Sequence, residues 1–477
     1  MLQYLPKIEI FFCFKTATVL ISKCIYHFYM EGLNKFQFKN YSISMQSIIN
    51  SKNYDFAWES TLHFLTTNFL LYIIYILVIE FSHRKMLNPK LVHITFGMTL
   101  ISFYFGSMVL GVMLINCIVT YLHASYVRSR KIIWMLAIIW LVSLRNPILH
   151  KFLTHYMHDK RRVFNLLMML SWNTIRCLCF SLEKINDDKV GLFEMLSYVL
   201  YFPTLVTGPI VCYSEFRMIC HRNETQNKSR YWRLMKDLLR CTVTLLIGEG
   251  MHYMFHVSNS NEFLELVINY DNWTIYGFGW IVVLSFYIRH RLIFGLGIAF
   301  GTFDGICMPK QLSCIFNIHS NKELARNFDN GMHLFLFRYI YSEKDFKRTN
   351  WELTSKMKKS ALTFIFVLVW HGFEFHIVTW TIMSYIGILI EDRVNTLMEC
   401  EHVKNYLKKF LSYNAIYRLK ALINTSLWIP SVLMNFMLLT GSGIGKEFFT
   451  RTYITGGINS YIIVTLTMYS LHSLKIS

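Results

Sequence analysis

Apolar runs of helical length recur along nearly the whole chain, separated by short polar or basic breaks. The amino terminus, MLQYLPKIEIFFCFKTATVLISKCIYHFYM, is interrupted by Lys15 and Lys23, and no small-residue cleavage site follows its apolar core. It predicts a first span or an interfacial helix with snorkelling lysines, not a removable signal. Thr61–Phe81 predicts one clean crossing of about 20 residues. Leu91–Val127 is too long for one and contains Gly97, Gly106 and Gly111, which predicts two spans or one strongly tilted helix. Further runs are Ile132–Leu144, Val163–Leu182, Leu192–Tyr213 (broken by Pro203, Gly208 and Pro209), Leu238–Val257 and Tyr276–Phe303. Gly331–Tyr341, Ala361–Leu389, Ile416–Thr440 and Tyr461–Leu471 complete the set. The pattern predicts about ten to twelve membrane-associated segments, with no internal repeat and no soluble domain. Irregular backbone persists at membrane depth only where protein or water satisfies it, so the short and broken segments predict an embedded cavity.

Composition agrees with lipid as the solvent. Of 477 residues, 54% are hydrophobic and 16% charged, against roughly 25% charged in an average soluble domain. Seven prolines and 22 glycines exclude a disordered or collagen-like chain. The formal charge of +19 fits loops facing anionic head groups. Basic residues are scattered between apolar runs and form no basic domain, which argues against nucleic-acid binding. None of the eleven cysteines forms a CxxC pair, so neither a structural zinc site nor a disulfide framework is expected.

Against that background a few polar residues stand out. His371 interrupts the run Phe364–His376, where an imidazole is costly unless it has a partner or a task. With an ordinary pKa of about 6.5 it suits proton transfer. Gly372 permits close approach, and Trp370 offers a tunnel wall. A histidine packed between helices and bonded to a carbonyl is the structural alternative. In Arg326–Tyr341, a helix would place Asp329 and His333 one turn apart, with Arg338 beyond. Asp329 as a simple helix cap is the alternative there. Arg289, His290 and Arg291 lie in mid-run and would serve an ion or substrate pathway in a transporter.

Asp329 followed by His371, 42 residues apart in this numbering, resembles the membrane-bound O-acyltransferase family, and within it the hedgehog acyltransferase branch. The wording of Arg326–Tyr341, Trp370-His371-Gly372 with Glu374, and Asp304-Gly305 with Pro309 and Cys314 carries the likeness. So do Tyr201-Phe202-Pro203 through Gly208-Pro209-Ile210 to Ser214-Glu215-Phe216, and Leu438-Leu439-Thr440-Gly441 to Gly445-Lys446. The resemblance implies an all-α, polytopic fold around a central catalytic tunnel, with N-terminal membrane helices in residues 1–190 and a catalytic core in residues 191–475. It implies an enzyme of the endoplasmic reticulum or Golgi membrane that moves palmitate from palmitoyl-CoA to the α-amine of the N-terminal cysteine of a secreted, hedgehog-type signalling protein. His371 and Asp329 would be catalytic. Trp370, Phe335 and Phe337 would line the substrate tunnel, His333 would join the substrate site or be a structural histidine, and Arg338 and Arg326 would hold CoA phosphates. Cys314 would be a haem thiolate, with a plain thiol or a palmitoylation site as the alternatives. Serine or lipid O-acylation, a transporter and a non-catalytic scaffold are the competing functions. The loop Tyr341–Lys359 lacks the glycine-rich stretch of vertebrate relatives, and Asn223-Glu224-Thr225 is a sequon of undetermined sidedness.

Overall fold

The computed structural model describes residues 6–39, 56–84, 88–187, 189–206, 208–218, 228–255, 267–342 and 352–476. Among them the chain is helical, with short 3₁₀ and π turns and no strand. The first part comprises α1 (Lys7–Lys39), α2 (Phe56–Thr67), α3 (Phe69–Arg84), α4 (Pro89–Leu100), α5 (Ser107–Leu122), α6 (Arg130–Ser143), α7 (Pro147–Met157), α8 (Lys160–Lys184), α9 (Leu192–Val199) and α10 (Tyr213–Arg217). The second comprises α11 (Lys228–Phe255), α12 (Asn272–Phe303), α13 (Asn321–Asn327), α14 (Asn330–Leu336), α15 (Glu352–His371), α16 (Phe375–Glu399), α17 (Glu401–Phe410), α18 (Tyr413–Thr450) and α19 (Gly457–Ile476). The Asn223-Glu224-Thr225 sequon and most of the Tyr341–Lys359 loop lie outside the described residues.

Among the described residues four segments are long and apolar enough to cross a membrane: Ser107–Val127, Lys160–Lys184, Asn272–Phe303 and Tyr413–Thr455. Two bent pairs, Phe56–Thr67 with Phe69–Ser82 (52°) and Arg130–Ser143 with Pro147–Met157 (64°), qualify jointly as broken spans or re-entrant loops. Shorter helices fill the space between these crossings. Most of α8 is buried inside the protein, whereas α5 turns much of its apolar surface outward. Helix starts follow ordinary chemistry. Asn88, Asn146, Asp159, Asp271 and Ser412 each accept a hydrogen bond from the first turn of the helix they precede, with proline next at Pro89 and Pro147.

Three apolar runs are cut at a single residue, and only the division of Leu91–Val127 was foreshadowed, by its length and its glycines. Thr61–Phe81 bends at Asn68, whose buried Nδ2 donates to the Phe64 carbonyl at 2.8 Å. Leu91–Val127 divides at Gly106 (φ 101°), giving two helices. Ala361–Leu389 divides at Gly372 (φ 116°) into α15 and α16. His371 therefore ends a helix and does not sit in the middle of one. A single residue changes the direction of the chain without changing its average polarity.

Charge inside the bundle is answered locally. Arg176, buried on α8, donates Nη1 to the Val199 carbonyl at 3.1 Å and Nη2 to Thr204 Oγ1 at 2.7 Å. It thereby satisfies carbonyl groups near the end of α9, where a cation is favoured. Nine described cysteines are free thiols, while Cys307 is disulfide-bonded, a crosslink that the spacing did not suggest.

Candidate active site

The Gly208–Pro209–Ile210 bend is gripped between two helix glycines. A Cβ on Gly297 of α12 would stand 2.5 Å from the Gly208 carbonyl oxygen, and one on Gly331 of α14 would stand 2.3 Å from that of Ile210. Only glycine allows either approach. The bend thus sets the position of α14, and with it Asp329, the N-cap of that helix. Asp329 Oδ1 accepts from Met332 N at 2.9 Å, and the Asp329 carbonyl accepts from His333 N at 2.9 Å. The capping expectation is met, yet the same side chain also faces a cavity.

His371 is the last residue of α15. The Gly372 amide closes on the Leu368 carbonyl at 2.9 Å, and its positive φ turns the chain out of the helix. Arg145, between α6 and α7, donates Nη2 to the Trp370 carbonyl at 2.5 Å. The His371 ring meets Trp380 edge-on, with centroids 5.3 Å apart. Trp380 Nε1 in turn donates to Asn435 Oδ1 at 3.0 Å, and Asn435 Nδ2 to the Ser431 carbonyl at 2.8 Å. Three helices, α15, α16 and α18, hold the imidazole in place.

Asp329 and His371 line one cavity of about 910 Å³. That volume is at the upper end of the roughly 300–1,000 Å³ usual for small-molecule sites. Both are half-buried residues whose open surface faces the cavity, and no direct hydrogen bond joins them. They can therefore act on a substrate between them. Trp370, His333 and Phe337 share the lining, with the Trp370 ring tilted against that of Trp172 (centroids 5.0 Å apart). Phe335 and Arg338 do not. Phe335 is fully buried in packing against Phe366, Tyr339 and Trp134. Arg338 Nη1 donates to Glu215 Oε2 at 2.8 Å and to Ser214 Oγ, so the two motifs around Ser214-Glu215 and Arg338 clasp each other. The cations on the lining are instead Lys322, Arg326, Lys356, Arg393, Arg289 and Arg145.

This arrangement fits the family comparison. The sequence model of the MBOAT, membrane-bound O-acyltransferase family, matches residues 122–434. The chain belongs to that family. It is a multi-pass membrane protein and an acyltransferase by membership. Protein-cysteine N-palmitoyltransferase Rasp of Drosophila melanogaster is 27% identical over 365 residues, covering 75% of this chain and 71% of the relative. Protein-cysteine N-palmitoyltransferase HHAT of Mus musculus is 26% identical over 345 residues, covering 69% and 68%. Membrane-bound O-acyltransferase GUP1 of Candida tropicalis is 23% identical over 263 residues, covering 53% and 42%.

His290 enters the same cavity from α12, where the sequence offered it as part of a transport pathway. Its Nδ1–H donates to the Phe286 carbonyl at 2.8 Å, which leaves Nε2 as the acceptor in the neutral ring. Arg291, its neighbour, turns aside to the Tyr287 hydroxyl at 2.7 Å. Arg145 carried no sequence signal because it is remote from the motifs along the chain, and Trp380 and Asn435, though near motifs, reach His371 only through helix packing. Cys314 does not fit a haem ligand. It is exposed at the start of a single 3₁₀ turn and lies outside the cavity lining, whereas a haem thiolate needs a shell that controls solvent access. Among the described residues no group of three His, Cys, Asp or Glu side chains is placed to hold a metal ion.

Proposed function

We propose that this protein transfers palmitate from palmitoyl-CoA to the α-amine of the N-terminal cysteine of a secreted, hedgehog-type signalling protein, in the endoplasmic reticulum or Golgi membrane. The observation that carries the reading is the convergence of Asp329 and His371, from two separate motifs, on one largely apolar cavity. The activity for which the Drosophila and mouse relatives are named, protein-cysteine N-palmitoyl transfer, supports the choice of donor and acceptor.

A thioester is already activated, so the protein has two substrates to position and one proton to move. An α-amine of pKa about 7.7–8.0 is partly protonated at neutral pH. His371 accepts the proton as the amine nitrogen attacks the thioester carbon, and the CoA sulfur leaves as thiolate. Asp329, whose Oδ1 is engaged by the backbone, offers Oδ2 to draw in and orient the ammonium. Trp370 and Phe337 wall the path of the acyl chain, whose burial contributes about 0.8 kcal/mol per methylene. His333 supports the same wall. Arg326, Lys356 and Arg393 take the role of phosphate partners in place of Arg338, while Lys322 on the same lining is paired with Asp392.

The test is acylation by purified protein of three peptides side by side, with N-terminal cysteine, N-terminal serine and N-acetylated cysteine. Amide formation on the first alone supports the reading. Equal acylation of the acetylated peptide overturns it in favour of S-acylation, ester formation on the serine peptide overturns it in favour of O-acylation, and no acylation of any overturns the choice of acceptor.

A further inference from the structure

Outside the cavity, α17 presents a surface that the acyl-transfer reading leaves unused. It joins the end of α16 to the membrane-length segment that begins with α18. At 100° per residue Val403, Tyr406, Leu407 and Phe410 form one apolar stripe. Lys404 and Lys409 flank the stripe on its two sides, and Lys408 lies on the opposite face. The packing of α17 on α16 and α18 leaves Val403 and Leu407 half-buried. Tyr406 and Phe410 remain 63% and 65% exposed.

The charges around the stripe are unequal. Neighbouring cations are already paired, Lys420 with Glu399 at 3.8 Å and Arg418 with Glu9, Nε to Oε1, at 2.8 Å. Lys404 and Lys408 have no carboxylate partner among the described residues, and Lys409 Nζ lies 5.8 Å over the Phe410 ring. Exposed aromatics with lysines on both flanks, at the end of a span, fit the depth where rings meet acyl chains and ammonium groups meet phosphates.

We propose that α17 docks in the head-group layer of an anionic phospholipid leaflet, with Tyr406 and Phe410 at the acyl boundary, Lys404 and Lys409 among the phosphates and Lys408 on the outer side within the field of the leaflet. Anionic lipid is concentrated in the cytoplasmic leaflet, so docking turns this end of the molecule to the cytosol. Asp392 and Arg393 line the cavity six or seven residues before the end of α16, about 10 Å along a helix. The part of the cavity lining that carries Arg393 then lies near the docked helix, at the leaflet into which an amphiphilic acyl-CoA partitions. That last consequence rests on the proposed donor; the docking itself does not.

Hydrogen exchange of residues 401–410 tests the proposal, using the full chain in nanodiscs of phosphatidylcholine alone and of phosphatidylcholine with phosphatidylserine. Exchange about tenfold slower in the anionic discs is expected, reversed by high salt and by the triple variant K404Q/K408Q/K409Q. Equal exchange of the unaltered protein in both discs overturns it, because a helix held by a protein surface is protected whatever the lipid. Lipid-dependent protection that survives the triple variant also overturns it.

Discussion

Arg145 donates a hydrogen bond from Nη2 to the carbonyl of Trp370, at 2.5 Å, so the bend between α6 and α7 holds the last turn of α15. That carbonyl is one the helix end leaves without an intrahelical partner. Beyond it the chain escapes through Gly372 at φ 116°. A side chain there meets ordinary space, with Ile377 Cδ1 at 3.7 Å, so the cost is backbone strain alone. Gly372→Ala is expected to cost roughly 1–3 kcal/mol and to lower turnover at least about tenfold by moving His371. Thermal unfolding in detergent and a turnover assay check both halves.

Asp329 has a structural task and a proposed chemical one, and substitution separates them. Asparagine caps a helix about as well as aspartate, whereas alanine loses about 1 kcal/mol. Asp329→Asn is therefore expected to melt like the unaltered protein and yet turn over poorly. Asp329→Ala should lose both. Unchanged turnover in Asp329→Asn would leave this residue as a cap only.

Gly331 has no room for a methyl group beneath the Ile210 carbonyl. Gly331→Ala is expected to destabilise by about 1–3 kcal/mol through overpacking and to shift α14 with Asp329 and His333. Limited proteolysis and turnover measured together would show whether the loss is local or global.

The cations also divide into two classes. Arg338 is clasped by Glu215 and Ser214, so Arg338→Gln should lower the unfolding temperature and leave KM for the acyl donor unchanged. Lys356 and Arg393 line the cavity, so Lys356→Gln and Arg393→Gln should raise KM severalfold with little change in stability. A donor titration on the three variants distinguishes them. The reverse pattern would return the phosphate role to Arg338.

The sequence showed helices and lipid because both are properties of averages over many residues. Asp329 and His371 were legible because each is polar in an apolar setting and carries a family motif. Breaks at Asn68 and Gly372 were not, since one residue barely alters the hydropathy of a run. Arg338 misled for a related reason. A cation near a catalytic motif reads as a ligand for phosphate, and the ion pair that occupies it comes from Glu215, more than a hundred residues away. Arg145 and Asn435 were invisible because their place in the site depends on helix packing and on no local pattern.

The most direct measurement is turnover of purified His371→Ala beside the unaltered protein, with palmitoyl-CoA and a peptide bearing a free N-terminal cysteine. A loss of about 10²- to 10⁴-fold, with expression and membrane insertion retained, is the predicted result for removal of a general base. Full turnover by His371→Ala would contradict the account.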